Sequence, residues 1–223
     1  MSTEERVTSD LFPLAPADGV GHRELGPGAI LLRAFALPDE PRILAALTLI
    51  THDAPFRHMV TRGGFRMSVA MTNCGTLGWV SDRSGYRYAA TDPGSGRPWP
   101  EMPPAFADLA ARAAALAGFA GFSPDVCLIN RYEPGARLAL HQDRDERDFD
   151  APIVSVSLGA TAVFLFGGLR REDKPQRLPL RHGDVVVWGG PARLRYHGVL
   201  PLRADATSPL GVQRINLTFR RAG

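Results

Sequence analysis

The sequence predicts a mainly β fold with flanking helices (α+β), and three observations carry that expectation. From Val126 onward at least seven short apolar or alternating runs are separated by turn signals, the pattern of a sandwich, a barrel or a double-sheet jelly roll. Two stretches show a helical period, and both lie before residue 118. In 223 residues, 44% are hydrophobic and 22% charged, an ordinary balance with ample chain for one large core. No internal repeat or low-complexity segment is visible.

Taken in order, residues 1–27 read as an irregular arm, because Pro13, Pro16, Gly19, Gly21, Gly26 and Pro27 interrupt any regular element. Residues 28–37 read as a strand. Asp39 is placed as the N-cap of a helix, with Pro41 in its first turn and Ile43, Leu44, Leu47 and Ile50 on one stripe. Residues 61–66 form a turn between strand-like flanks. Residues 73–80 read as loop, Gly85–Tyr88 alternates aromatic and basic residues, and 92–100 is turn-rich. A second helix, 105–117, follows Pro103-Pro104 and ends at Gly118. Strands are expected at 127–132, 138–141, 153–158, 162–166, 177–180, 184–188, 195–200 and 214–220.

Net charge is +3, and Lys174 is the only lysine. Arginine suits bidentate contacts to carboxylate or phosphate; GC-rich coding explains the same bias equally well. Cys74 and Cys127 have no CxxC spacing and read as small buried hydrophobes in a reduced, cytoplasmic setting. The first residues are polar, without an apolar signal core. No apolar run approaches the roughly 18 residues a membrane helix needs, so no membrane span is expected.

The candidate chemistry begins at His141 and Asp143. One residue apart on a strand, they point to one face. His197 is the best candidate for a third ligand. Two His and one carboxylate, with open positions opposite, form the facial triad of non-haem Fe(II) oxygenases. On the last strand Arg214, Asn216 and Arg220 share one parity. Two guanidiniums on an inward face are costly unless an anion meets them, and a dicarboxylate such as 2-oxoglutarate would satisfy both. Asn130 and Tyr132, also two apart, can add hydrogen bonds to that anion. The bland alternatives are a structural histidine and arginines on the solvated face of an edge strand. Over residues 56–100, aromatic and Arg side chains on turns suit base stacking and phosphate contact, or else form a small packing cluster under a long loop.

In combination, Asn130–Gly135, His141–Glu146, Pro152–Leu158, Phe166–Leu169, His182–Gly190, Tyr196–Gly198 and Arg214–Arg220 resemble the bacterial AlkB family of nucleic-acid demethylases. The resemblance runs from about Trp79 to Gly223. It implies a double-stranded β-helix (jelly roll) core with an N-terminal nucleotide-recognition lid. It implies Fe(II) on His141, Asp143 and His197, with 2-oxoglutarate and O2 as cosubstrates, and 2-oxoglutarate contacts from Asn130, Tyr132, Arg214, Asn216 and Arg220. It further implies that Trp79, Tyr86, Arg87 and Tyr88 hold the substrate nucleotide, with Asp145 and Arg171 near the base. The implied organisation is an arm (1–27), helices and lid (28–125) and the dioxygenase core (126–223). The implied reaction is oxidative removal of methyl groups from N1-methyladenine or N3-methylcytosine as formaldehyde, with succinate and CO2 as coproducts. The expected partner is single-stranded DNA, RNA or duplex DNA with a flipped base, and the expected state is a monomer. Two other classes stay open: a sister oxygenase acting on a protein or small molecule, which needs no lid, and a β-sandwich binding module, which leaves the His/Asp and Arg sets unexplained.

Overall fold

The structure, a computed structural model, describes residues 21–223. Its elements are β1 (His22–Gly26), β2 (Ala29–Leu32), α1 (Glu40–Asp53), β3 (Arg57–Val60), β4 (Arg66–Gly75), β5 (Gly78–Asp82), β6 (Gly85–Ala89), α2 (Pro104–Leu116), β7 (Val126–Tyr132), β8 (Leu138–His141), β9 (Ile153–Gly159), β10 (Ala162–Phe166), β11 (Gln176–Leu180), β12 (Val185–Trp188), β13 (His197–Val199) and β14 (Arg214–Arg220). Among the described residues they form three sheets. The large one has the order β1-β2-β12-β9-β14-β7-β4-β3, the second β11-β10-β13-β8, and β5-β6 stand as a pair.

Period-two alternation explains how the layers stack. On β14 the odd residues Ile215, Leu217 and Phe219 join the cluster that includes Phe106, Leu109 and Ala113 of α2. Phe106 meets Phe219 edge to face, ring centroids 5.9 Å apart. Each such buried apolar side chain contributes roughly 1.5–3 kcal/mol. The other face of the large sheet turns toward the second sheet, where Phe164, Phe166, Leu178 and Trp188 fill a second cluster. Two antiparallel sheets closing on a shared interior are the double-stranded β-helix. Residues before 126 are woven into it: β2 pairs with β12, and β4 with β7.

Several sequence expectations need correction. Part of the supposed arm, His22–Gly26, is β1, paired with β2; residues 1–20 lie outside the described residues. Of the residues read as breakers, Gly26 and Pro27 stand at the hairpin turn, which Gly28 completes at φ +74 against the Gly189 carbonyl. The strand placed at 28–37 stops at Leu32, because Ala34 adopts φ 55 and the buried Asp184 carboxylate accepts its N–H at 3.0 Å. Asp39 occupies the N-cap position but caps nothing with its side chain; its carboxylate pairs with Arg112 and Arg42. The loop placed at 73–80 is the end of β4, a bend at Thr76, and the start of β5. Helix α2 ends as foreseen: Gly118 at φ 88 and Phe119 donate backward to the Ala115 and Ala114 carbonyls, a Schellman closure.

Candidate active site

One cavity of about 680 Å³ opens between the two sheets, within the range typical of small-molecule sites. His141 ends β8, Asp143 follows two residues later, and His197 begins β13 directly opposite His141 in the strand register. Their ligand atoms lie within 4.8 Å of one another. Asp143 Oδ1 is 3.5 Å from His141 Nε2 and 3.7 Å from His197 Nε2.

The backbone fixes both tautomers. His141 Nδ1 lies 2.9 Å from the Ala139 carbonyl, and His197 Nδ1 3.1 Å from that of Arg195. A carbonyl only accepts, so each Nδ1 carries the proton and each Nε2 presents a lone pair to the centre. Burial, reinforced by the neighbouring imidazole of His141, lowers His197 to about 4, so His197 is neutral at neutral pH. Burial also penalises a charge on His141, but the Asp143 carboxylate outweighs it and raises His141 above its ordinary value. Burial opposes the Asp143 charge too; Arg220 and the two imidazoles overcome it and hold Asp143 well below the usual carboxylate range. Two imidazole lone pairs and an ionised carboxylate suit a divalent first-row metal.

Beside this cluster lie the arginines. β14 is flanked by β7 and β9, and every residue in it is buried, so its arginines do not face solvent. Arg214, 1% exposed, donates from Nη2 to Ser157 Oγ at 2.7 Å, and its Cζ sits 5.0 Å from the Tyr132 ring centre. Its Nε and Nη1 meet no acceptor. Arg220 donates from Nε and Nη2 to Asp143 Oδ2 at 2.8 and 2.5 Å, while its Nη1 meets none. Three buried guanidinium nitrogens without an acceptor beside one cavity are a cradle for a carboxylate-bearing ligand. Burial raises the Tyr132 phenol despite the charge of Arg214, so it stays a neutral donor.

Asn216 behaves differently from its neighbours on β14. Its Nδ2 donates to Ser155 Oγ at 2.8 Å and to the Val156 carbonyl at 2.9 Å, and its Oδ1 accepts from Thr218 Oγ1 at 3.0 Å. Asn130 Nδ2 adds a long contact to that oxygen at 3.5 Å. Asn216 therefore spends its amide bracing the cavity wall.

At the mouth, Trp79 of β5 and Tyr86 of β6 stack with centroids 5.5 Å apart and planes 19° off parallel. The Trp79 Nε1–H donates to Asp145 Oδ2 at 3.3 Å. Trp79, Tyr86, Asp145 and Arg171 all line the cavity. The remaining two hairpin residues do not. Arg87 lies on the opposite face of the hairpin, exposed and paired with Asp82 at 2.8 Å. Tyr88 points into the protein, where its hydroxyl donates to Glu146 Oε1 at 2.6 Å.

Sequence reasoning missed several participants. Ser157, Ser155 and Thr218 were legible in principle: each is a small polar residue at the inward parity of an alternating strand. Asn73 holds both the N–H and the carbonyl of Trp79 at 3.0 Å. Arg193 donates to the Asp143 carbonyl at 2.8 Å and pairs with Glu146 at 3.1 Å. The Arg193 contacts join residues about fifty positions apart and leave no local signal.

Comparison with known proteins shows what the chain as a whole is similar to. The family model described as the 2OG-Fe(II) oxygenase superfamily matches residues 28–220. The chain is 58% identical over 198 residues to "Alpha-ketoglutarate-dependent dioxygenase AlkB" of Salmonella typhimurium, spanning 89% of this chain and 92% of that protein. It is 56% identical over 200 residues to the protein of that name from Escherichia coli, again spanning 89% and 92%. A solved structure titled "The structure of OsALKBH1" superposes with TM-score 0.79 at 31% identity, covering 90% of this chain and 100% of that one.

Proposed function

Because this chain belongs to the 2OG-Fe(II) oxygenase superfamily, and within it to the AlkB family of dioxygenases, we propose that it removes methyl groups from N1-methyladenine and N3-methylcytosine in single-stranded DNA or RNA. One observation carries the reading: a single cavity joins the His141–Asp143–His197 cluster and the unmatched guanidiniums at its floor to Trp79, Tyr86 and Asp145 at its mouth. The donor set and the unmatched N–H groups fit Fe(II) and 2-oxoglutarate. With O2, that pair supplies the oxidant that turns an N-methyl into a hydroxymethyl, which leaves as formaldehyde.

The chain's own contribution is placement. His141, Asp143 and His197 would hold the metal, and Arg214, Arg220, Tyr132 and Asn130 the cosubstrate, with Asn216 keeping that wall rigid. The two target bases are cations. The face of Trp79 not covered by Tyr86 attracts a desolvated cation, and Asp145 adds a carboxylate for the exocyclic amine and the positive charge. Arg171, whose Cζ lies 5.8 Å from the Tyr196 ring centre, borders the same space. A methylated base pairs poorly, which lowers the cost of turning it out of a stack. Arg66, Arg137 and Arg144 at the rim suit the phosphates on either side. In this reading the β5–β6 hairpin serves as the lid, residues 126–223 carry the oxidising centre, and the enzyme acts as a cytoplasmic monomer. Among the described residues no helix is long and apolar enough to cross a membrane.

The test is incubation with Fe(II), 2-oxoglutarate and an oligonucleotide carrying 3-methylcytosine, with formaldehyde and restored cytosine measured together. Formaldehyde release matched to restored cytosine is the expected result. Turnover of 2-oxoglutarate without repair would point instead to a sister oxygenase with a protein or small-molecule substrate.

A further inference from the structure

The hairpin β5–β6 belongs to neither large sheet, and a two-stranded hairpin by itself is marginal in water. Something else must seat it. Strand β5 is held well: Asn73 brackets Trp79, Ser81 Oγ donates to the Val60 carbonyl at 2.6 Å, and Val80 packs with Trp99 and Ala54. Strand β6 is the outer one. Its carbonyl at Ala89 accepts from Trp99 Nε1 at 3.0 Å. Its polar side-chain tie to the core is the Tyr88 hydroxyl on Glu146.

That tie ends on a well-anchored acceptor. Glu146 is 5% exposed, and its carboxylate lies 3.1 Å from Arg193 Nη2 and 3.3 Å from Arg220 Nε. Both guanidiniums also grip Asp143, one through its carbonyl and one through its carboxylate. Tyr88 and Trp79 are direct cross-strand partners, so they share a face of the hairpin. Trp79 reaches Asp145 and Tyr88 reaches Glu146, adjacent residues of the loop after β8.

We propose that Tyr88 is a positioning residue: its hydroxyl bond to the buried Glu146 seats the hairpin so that Trp79 faces the cavity, and Tyr88 itself does not touch the nucleic acid. The effect on substrate rests on the reading above that Trp79 holds the base. The seat itself is independent of it. Burial raises the Tyr88 phenol far above its ordinary range, so it remains a donor at any working pH.

Tyr88→Phe keeps the ring and deletes the hydroxyl. The loss of a hydrogen bond to a charged group is felt at roughly tenfold or more. In the metal-free protein, amide exchange of residues 78–89 should accelerate about tenfold, with β7 and β14 unchanged. With iron and 2-oxoglutarate bound, KM for a 3-methylcytosine oligonucleotide should rise about tenfold, while KM for 2-oxoglutarate stays within about twofold. Unchanged hairpin exchange overturns the proposal. So does acceleration spread equally over β7 and β14, which marks general destabilisation, and so does faster hairpin exchange with an unchanged oligonucleotide KM. A wild-type protein that repairs no methylated oligonucleotide overturns the substrate reading, whereas the exchange result still decides whether Tyr88 seats the hairpin.

Discussion

Replacing Arg214 by Met separates a binding guanidinium from a structural one. Arg214→Met keeps most of the volume and deletes a fully buried charge. It also deletes two guanidinium nitrogens that meet no acceptor. An unmatched buried donor costs about 1–3 kcal/mol, so their removal returns roughly 2–6 kcal/mol. Against that, the bond to Ser157 at 2.7 Å and the stacking on Tyr132 are lost, about 1.5–3 and 0.5–2 kcal/mol respectively. The terms nearly cancel. With about 2–4 °C per kcal/mol for a chain of this size, the metal-free variant should melt within about 5 °C of wild type. Breaking a fully satisfied buried pair would instead cost about 3–5 kcal/mol, roughly 10 °C or more. The ligand response should be opposite in sense. Mn(II) with 2-oxoglutarate at about a hundred times Kd stabilises a binding-competent protein by about 2.7 kcal/mol, a shift of several degrees in wild type. The variant should keep the shift that Mn(II) gives alone and lose nearly all of the 2-oxoglutarate increment, since two charge-assisted bonds correspond to at least a hundredfold in affinity. Differential scanning fluorimetry reads both quantities. A large drop in melting temperature without ligand, or a preserved 2-oxoglutarate shift, would refute the assignment.

Asp143→Ala should abolish iron binding and turnover, and should also lower stability because Arg220 keeps only Glu146 as a buried partner; retained turnover, measured as succinate, would mean the ligand set is wrong. Trp79→Ala should raise the oligonucleotide KM roughly ten- to hundredfold, as expected for about 1–3 kcal/mol of base stacking, and an unchanged KM would remove Trp79 from the base site. Gly198→Ala places a Cβ 2.7 Å from the Leu138 carbonyl, forcing β13 from β8; it should cost about 1–3 kcal/mol and weaken Mn(II) binding in calorimetry by separating His141 from His197. Ser157→Ala should weaken 2-oxoglutarate binding about tenfold by freeing Arg214, and an equal loss of oligonucleotide binding would argue for a wider rearrangement.

How far the sequence could be read follows from how local each interaction is. The parity of Arg214, Asn216 and Arg220 is visible in the chain because a strand has a strict period of two. It put three residues on the cavity side, and Thr218 obeys the same rule though it drew no attention. The separate role of Asn216 was invisible, because its partners Ser155 and Val156 belong to a strand some sixty positions earlier. The end of β2 was misplaced for the same reason: Asp184, far along the chain, sets the turn at Ala34. Trp79, Tyr86, Arg87 and Tyr88 form one group in sequence but not in the fold. Alternation alone separates Arg87 from the two tyrosines, whereas only the position of Glu146 distinguishes Tyr88 from Tyr86.

The tautomers of His141 and His197 are set by carbonyls two residues back along the chain. A carbonyl is present whatever the amino acid, so no substitution at Ala139 or Arg195 deletes the acceptor. Proteins that orient a liganding imidazole with a side-chain carboxylate depend on a second gene-encoded residue that drift can remove. Here the orientation comes with the backbone path itself and needs no further side chain to hold it.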